Sequence, residues 1–145
     1  MDPAIKSYED LEVWKRGIEF AVQTYDIVSD FPMEERFELS SQMRRAAVSI
    51  PSNVAEGHAR RKPKPYLNHV HISLGSLAEL VTCLIIARRR KYVAEDAFAK
   101  QMNEAKQIGK MLHGLAGSLE DRLAKLGLSL CLGFIVGGLA GVLLF

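Results

Sequence analysis

Cysteine is scarce in this sequence, and the residues that accompany it in metal and catalytic sites are scattered. The two cysteines, Cys83 and Cys131, lie far apart among apolar neighbours. They predict neither a disulfide framework nor a zinc site, and they favour a reducing, cytoplasmic compartment. There is no phosphate-binding glycine loop and no nucleophile–base pair at a known spacing. No two histidines share a helical face at metal-site spacing among His58, His69, His71 and His113. We therefore expect no catalytic residue, no metal and no cofactor.

Strand patterns are missing as well. No run of useful length alternates apolar and polar residues. Apolar residues instead recur at steps of three and four in four segments that glycine and proline separate. The segments cover about residues 7–29, 34–56, 65–92 and 94 onward. This pattern predicts an all-α protein, an antiparallel up-and-down four-helix bundle over residues 1–125, whose last helix extends into a C-terminal hydrophobic helix.

The apolar steps also predict which side of each helix is buried. In the second segment Pro51 removes a backbone donor and predicts a kink. Gly57 is expected to end that helix in a left-handed conformation. The expected buried seam of the first helix is Leu11, Trp14, Ile18, Ala21, Tyr25 and Val28, and that of the second is Met43, Ala47, Ile50 and Val54.

The net charge of +2 conceals an uneven distribution. Residues 1–43 carry a net charge of −6, residues 44–91 a net charge of +8, and residues 92–125 none. The positive charge is concentrated in two clusters, which we expect at opposite ends of the bundle. The first basic patch is Arg60, Arg61, Lys62 and Lys64, and the second is Arg88, Arg89, Arg90 and Lys91. Each patch is either a solvated helix end or a surface for nonspecific, salt-dependent binding of RNA or DNA phosphates.

Polar residues share one face of the second and third segments at steps of three and four. Either these are two solvated faces, or they form a hydrogen-bonded seam between the helices in which Arg45 pairs with Glu79 or Glu56. The residues of this predicted polar seam are Arg45, Ser49, Asn53, Glu56, Ser76 and Glu79.

Charge is absent from the end of the sequence. Residues 126–145 are 20 uncharged residues, and a helix of that length matches the thickness of a bilayer core. Gly133, Gly137 and Gly141 stand four residues apart, a spacing that lets membrane helices pack closely. We expect residues 126–145 to be a transmembrane helix, either a natural tail anchor or a peptide fused to a soluble bundle. The alternative is a helix buried against the bundle or within a ring of copies.

Several stretches resemble a known group of proteins. The resemblance rests on YEDLEVWKRG, FPMEERFELSSQMRRAAVSIPSNVAEG and GSLAEL, with LIIARR behind the last. These are similar to the bacterial four-helix-bundle proteins encoded in 23S rRNA intervening sequences, which are related to the accessory proteins of diversity-generating retroelements. The similarity covers residues 7 to about 123. We interpret the matching signature positions as architectural: Arg44, Arg45, Ser49, Pro51, Asn53, Glu56, Gly57, Ser76 and Glu79.

The resemblance implies an antiparallel four-helix bundle that assembles as a homopentamer and has no assigned catalytic site. The retroelement relatives are basic pentamers that bind nucleic acid and a reverse transcriptase. Two features depart from that pattern. Pro63 and Pro65 stand in a loop that is more often rich in lysine or serine, and the overall charge is milder than in the strongly basic relatives.

The sequence and its resemblance together predict a non-enzymatic bundle, pentameric as the resemblance implies, that acts as an adaptor or scaffold and binds nucleic acid nonspecifically. The alternative is a membrane-tethered or engineered pentameric scaffold that clusters C-terminal transmembrane helices. The expected partners are further copies of the chain, RNA or DNA, and a lipid bilayer or detergent that surrounds residues 126–145. The bundle is expected in the cytoplasm, associated with a membrane through that segment.

Overall fold

The computed structural model describes the backbone of residues 5–142 and the side chains of residues 5–127. This part of the chain contains four α-helices and no strand, which confirms the predicted all-α fold class. Helix α2 packs against α1 and α3, and α4 packs against α3 and α1, as in a bundle of antiparallel neighbours. The helices are α1 at Glu12–Ser29, α2 at Leu39–Ala59, α3 at Pro63–Arg89 and α4 at Glu95–Val142.

The chain enters the bundle through a capped 3-10 turn at Tyr8–Asp10. The Ser7 side chain accepts a hydrogen bond from the turn, and Asp10 Oδ2 accepts from the Ser7 backbone N–H at 2.9 Å. This backbone N–H, together with that of Lys6, holds the pKa of Asp10 below its usual value. Ser7 therefore caps this turn and not α1. Leu11 is extended and separates the two.

Helix α1 is rotated relative to its predicted seam. Ile18 and Tyr25, which the spacing placed in the core, are 36% and 48% exposed. The reason lies at Gly17, because a Cβ added there would stand 3.2 Å from the Cβ of Pro51. The glycine lets α2 approach closely and turns its own side of α1 inward. The residues that α1 buries are Val13, Gly17, Phe20, Ala21, Thr24 and Val28.

Helix α2 buries its predicted stripe completely. Met43, Ala47, Ile50 and Val54 have no exposed surface, and Pro51 lies inside the helix. The hydroxyl of Ser73 on α3 donates to the Ile50 carbonyl at 2.5 Å. A serine of the neighbouring helix thus contacts the backbone beside the proline.

The prediction that Gly57 ends α2 in a left-handed conformation is wrong. None of the described glycines has a positive φ, and α2 continues to Ala59. The left-handed residue is Arg61, with a φ of 54°. Gly57 is buried where α2 meets α3, and a Cβ there would stand 2.5 Å from Tyr66 Cδ2. The position requires glycine because of packing and not because of backbone conformation.

Helix α3 is the one described helix that is long and apolar enough to cross a membrane by length and composition. Its apolar residues Val70, Leu77 and Leu84 are buried in the common core with α2 and α4. A core helix of a bundle has this composition. From α4 the core receives Ala105, Ile108, Leu112, Ala116 and Leu119.

An ion pair joins α1 to α4. Arg16 on α1 donates to both carboxylate oxygens of Glu104 on α4, at 2.7 and 2.8 Å. The carboxylate raises the pKa of Arg16, so the guanidinium stays charged. Gln101 donates to Gln23 at 3.2 Å nearby. These polar contacts link α1 to α4.

Candidate functional site

The two basic patches lie at opposite ends of α3, which at 27 residues is about 40 Å long. In the first patch Arg60 forms an ion pair with Glu56 at 2.7 Å. Arg61, Lys62 and Lys64 are exposed and form no ion pair with a described residue. Three of the four charges of this patch are therefore available to an external anion.

The second patch is more strongly neutralised. Arg88 pairs with Glu95 and donates to the Val93 carbonyl at 3.2 Å. Arg90 donates to the hydroxyl of Tyr92 at 3.1 Å. Arg89 and Lys91 are exposed, and Lys91 has a left-handed φ of 62°. These contacts hold the α3–α4 connection, so part of the second patch has a structural role.

The antiparallel course of α4 brings a further cation to the first patch. Arg122 lines a cavity of about 190 Å³ together with Arg61, Lys62 and His58. Sequence reasoning missed Arg122 and His58, because neither belongs to a run of charges. The predicted topology could have placed Arg122 near the first patch, because the end of α4 and the α2–α3 connection lie at the same end of an up-and-down bundle.

The centre of the polar seam connects α2 to α3. The Ser76 hydroxyl donates to Ser49 Oγ at 2.8 Å. The Asn53 amide donates to the Ser49 carbonyl at 2.9 Å and to its Oγ at 3.0 Å. The solvated alternative therefore does not describe Ser49, Asn53 and Ser76, which are at most partly exposed.

His69 completes this part of the seam, although sequence reasoning did not include it. Its Nδ1 lies 3.0 Å from Asn53 Oδ1 and its Nε2 lies 3.7 Å from Glu56 Oε1. The Arg60 hydrogen bond and the charge of His69 hold the pKa of Glu56 below its usual value. Spacing could have identified His69, because it lies seven residues, or about two helical turns, before Ser76 and therefore on the same face of α3.

The predicted pairing of Arg45 with Glu79 or Glu56 is wrong. Gln42 lies between the first two, because its Nε2 donates to Glu79 at 2.7 Å and its Oε1 accepts from Arg45 at 3.3 Å. Arg45 also donates to Ser41 on its own helix at 2.5 Å. Both charged side chains are exposed, so neither needs a partner for burial.

Two larger concavities flank the bundle. One, of about 590 Å³, lies beside the start of α2 and is lined by Arg45, Glu79 and Cys83. Burial raises the pKa of the Cys83 thiol, which disfavours a nucleophilic thiolate. The other, also about 590 Å³, is a mostly apolar groove between α3 and α4 that includes Leu74, Val81 and Met102. Over the described residues, no group of three or more metal-ligating side chains comes together.

The predicted packing face of Gly133, Gly137 and Gly141 lies outside the described side chains. It stays a prediction, as does the role of residues 126–145.

Comparisons with known proteins agree with this fold. The chain matches the model of a family described as 23S rRNA-intervening sequence protein over residues 9–114. It is similar to the crystal structure of a protein of unknown function from the S23 ribosomal protein family of Bacteroides thetaiotaomicron VPI-5482. The TM-score is 0.67 at 24% sequence identity, covering 72% of this chain and 95% of that one. No curated protein matches the chain. At this identity the structural similarity bears on the fold alone.

Proposed function

Since the chain belongs to the family of 23S rRNA-intervening sequence proteins, we propose that it is a non-enzymatic helical bundle that associates with itself and binds nucleic-acid phosphates. The observation that carries the phosphate contact is a set of exposed cations at the α2–α3 end that form no ion pair with a described residue: Arg61, Lys62 and Lys64. Exposed charges without partners attract a phosphate backbone, and they release its counterions on contact.

The absence of an enzymatic role is supported by the candidate nucleophile and bases. Cys83 is buried with a raised pKa, and His69 is occupied by Asn53 and Glu56. A catalytic base needs an accessible reactant within hydrogen-bond distance. The polar groups of the seam instead form hydrogen bonds at the contact between α2 and α3, which is an architectural role.

The phosphate contact is tested by binding an RNA duplex and a DNA duplex across a salt series. We expect affinity to fall as salt rises, with a slope of about −0.9 per neutralised phosphate. Replacing Arg61, Lys62 and Lys64 together by glutamine should make that slope shallower by about 2–3. The matched control replaces the exposed Lys6, Lys100 and Lys110, which carry equal charge. No measurable binding at low salt, or equal loss in both variants, would reject the phosphate contact.

Self-association is supported by apolar surface on two different sides of one protomer. Ile18, Val22 and Tyr25 are 36%, 51% and 48% exposed on the outer face of α1. The mostly apolar groove lies between α3 and α4. Unlike surfaces that fit each other make a head-to-tail contact, which closes into a ring when the rotation allows. We propose a ring of five copies, with the outer face of α1 from one protomer in the groove of the next.

The mass of the intact assembly tests this ring. Val22→Lys places a charge in the proposed contact and should shift the mass to that of one protomer. Val48→Lys, on an exposed position of α2, is the control for adding a lysine to an exposed valine. A single-protomer mass for the wild-type chain, or an assembly that Val22→Lys leaves intact, would contradict the proposal.

A second candidate function rests on the 20 uncharged residues at 126–145. We propose that they tether the assembly to a membrane, and that the bundle then lies on the cytoplasmic side and gathers the tethers around its axis. A helix of this length spans a bilayer core. Co-sedimentation of the full chain with lipid vesicles after a high-salt wash is expected, and release by salt alone would reject the tether.

A further inference from the structure

We propose that the α2–α3 end of the bundle contains a site for a single phosphate group, in the cavity beside Tyr66. In the complex with nucleic acid proposed above, this site would hold one phosphate of the RNA or DNA. Only the source of the phosphate rests on that proposed function. The cavity has a volume of about 190 Å³, and the residues that line it are His58, Arg61, Lys62, Pro63, Tyr66 and Arg122. It is named the anion cavity below.

The charges around the anion cavity have one sign. Arg61, Lys62 and Arg122 line it, and none of them forms an ion pair with a described residue. No carboxylate lines it, and the first turn of α3, which begins beside it at Pro63, contains no acidic residue. The N-terminus of a long helix adds partial positive charge. Three cations from two elements and a helix start therefore favour an anion in this space.

Tyr66 contributes a neutral donor that lacks an acceptor. The residue is 8% exposed, and its buried hydroxyl has no hydrogen-bond partner among the described residues. Burial raises the pKa of Tyr66 to about 12, so the hydroxyl keeps its proton at physiological pH. A buried polar group without a partner is rare in a folded protein. Tyr66 lines the anion cavity, and a phosphate oxygen that reached its covered hydroxyl would supply the missing acceptor.

The size of the cavity agrees with this ligand. Drug-sized ligands occupy sites of about 300–1,000 Å³, which are larger than the anion cavity at about 190 Å³. A phosphate group suits the smaller volume, and guanidinium groups recognise its oxygens in pairs.

The first test titrates inorganic phosphate into the full chain, with binding followed by calorimetry and by backbone amide shifts. We expect one saturable site per protomer with shifts centred on residues 58–66. Arg122→Gln should weaken binding by about 10-fold or more, because it removes a charge-assisted hydrogen bond. Arg89→Gln removes an exposed arginine at the opposite end and should change binding by less than about twofold. Binding that does not saturate, or that both variants weaken equally, overturns the site.

Tyr66→Phe tests the hydroxyl. It keeps the ring that packs on Gly57, so the thermal melt should match or exceed that of the wild type, while phosphate binding weakens by about 3-fold or more. Phosphate binding equal to wild type would remove Tyr66 from the site. A failed fold would be visible in the melt, and Arg122→Gln then decides the matter alone.

The source of the phosphate is tested by competition. An oligonucleotide with a 5′-phosphate should displace inorganic phosphate at a lower concentration than the same strand with a 5′-hydroxyl, because a terminal phosphate offers more free oxygens to Arg61, Lys62 and Arg122 than a backbone phosphodiester does. Equal displacement by both strands overturns a site for a terminal phosphate. Saturable phosphate binding without any duplex binding would sink the proposed function and leave the anion cavity standing with free phosphate as its ligand. Duplex binding without saturable phosphate binding would reject the anion cavity and leave the proposed function standing.

Discussion

Gly57 lies in α2 at the point where the helix approaches α3, and its missing side chain sets that distance. A Cβ there would stand 2.5 Å from Tyr66 and 2.8 Å from His69. Gly57→Ala should therefore destabilise the bundle by about 1–3 kcal/mol, although alanine favours a helix by about 1 kcal/mol over glycine. Urea unfolding measures the change. In Gly75→Ala a Cβ meets nothing within 4 Å, so we expect stabilisation of about 0.5–1 kcal/mol. Stabilisation by both substitutions would contradict the close contact.

The phenol of Tyr66 predicts a loss of stability at alkaline pH. Its pKa is raised from 10.0 to about 12 in the folded chain, so the folded state holds a proton that the unfolded state releases between these values. Stability from this group is complete below about pH 10 and falls as pH rises toward 12, by up to about 2–3 kcal/mol. Melting temperatures of wild type and Tyr66→Phe should diverge above pH 10. Parallel curves would mean that the phenol is not buried in solution.

Residue types predicted local features well and side-chain partners poorly. The buried stripe of α2 follows from the spacing of its apolar residues along the chain. Arg45 and Glu79 carry opposite charges on facing helices, yet Gln42 lies between them. Spacing predicts which face of a helix a residue lies on, but not which side chain of a neighbouring helix it contacts. It could not show that Gly57 packs against Tyr66.

At the scale of elements, the α2–α3 contact separates structural polar groups from solvated ones. Asn53 bonds Ser49 and lies beside His69, so Asn53→Ala leaves partly buried groups unpaired and should cost about 1–2 kcal/mol. Glu79 is exposed and bonds Gln42, so Glu79→Ala should cost less than about 1 kcal/mol. Chemical denaturation of the two variants compares them directly. Equal costs would mean that the seam is solvated throughout.

Helix α1 shows why the register of an element was harder to predict than its existence. The predicted and the observed buried positions are offset by about one residue and share Ala21 and Val28, and the steps of three and four allow either face to be buried. Gly17 decides which face is buried. A Cβ added at Gly17 would stand 3.2 Å from the Cβ of Pro51, so the glycine lets Pro51 pack closely on this side of α1. This is a property of the pair α1–α2. The face left outside, with Ile18, Val22 and Tyr25, becomes surface that a second copy can cover.

At the scale of the whole molecule, the described core ends before the uncharged segment begins. Among the residues of α4 whose side chains are described, the last fully buried one is Leu119, and residues 124–127 are exposed. A chain cut after Lys125 retains every described core residue, so its free energy of unfolding should stay within about 1 kcal/mol of the full chain measured in detergent. The cut chain should also stay soluble without detergent, whereas the full chain should not. A cut chain that unfolds would mean that residues 126–145 cover the bundle, and one that still needs detergent would place the membrane contact elsewhere.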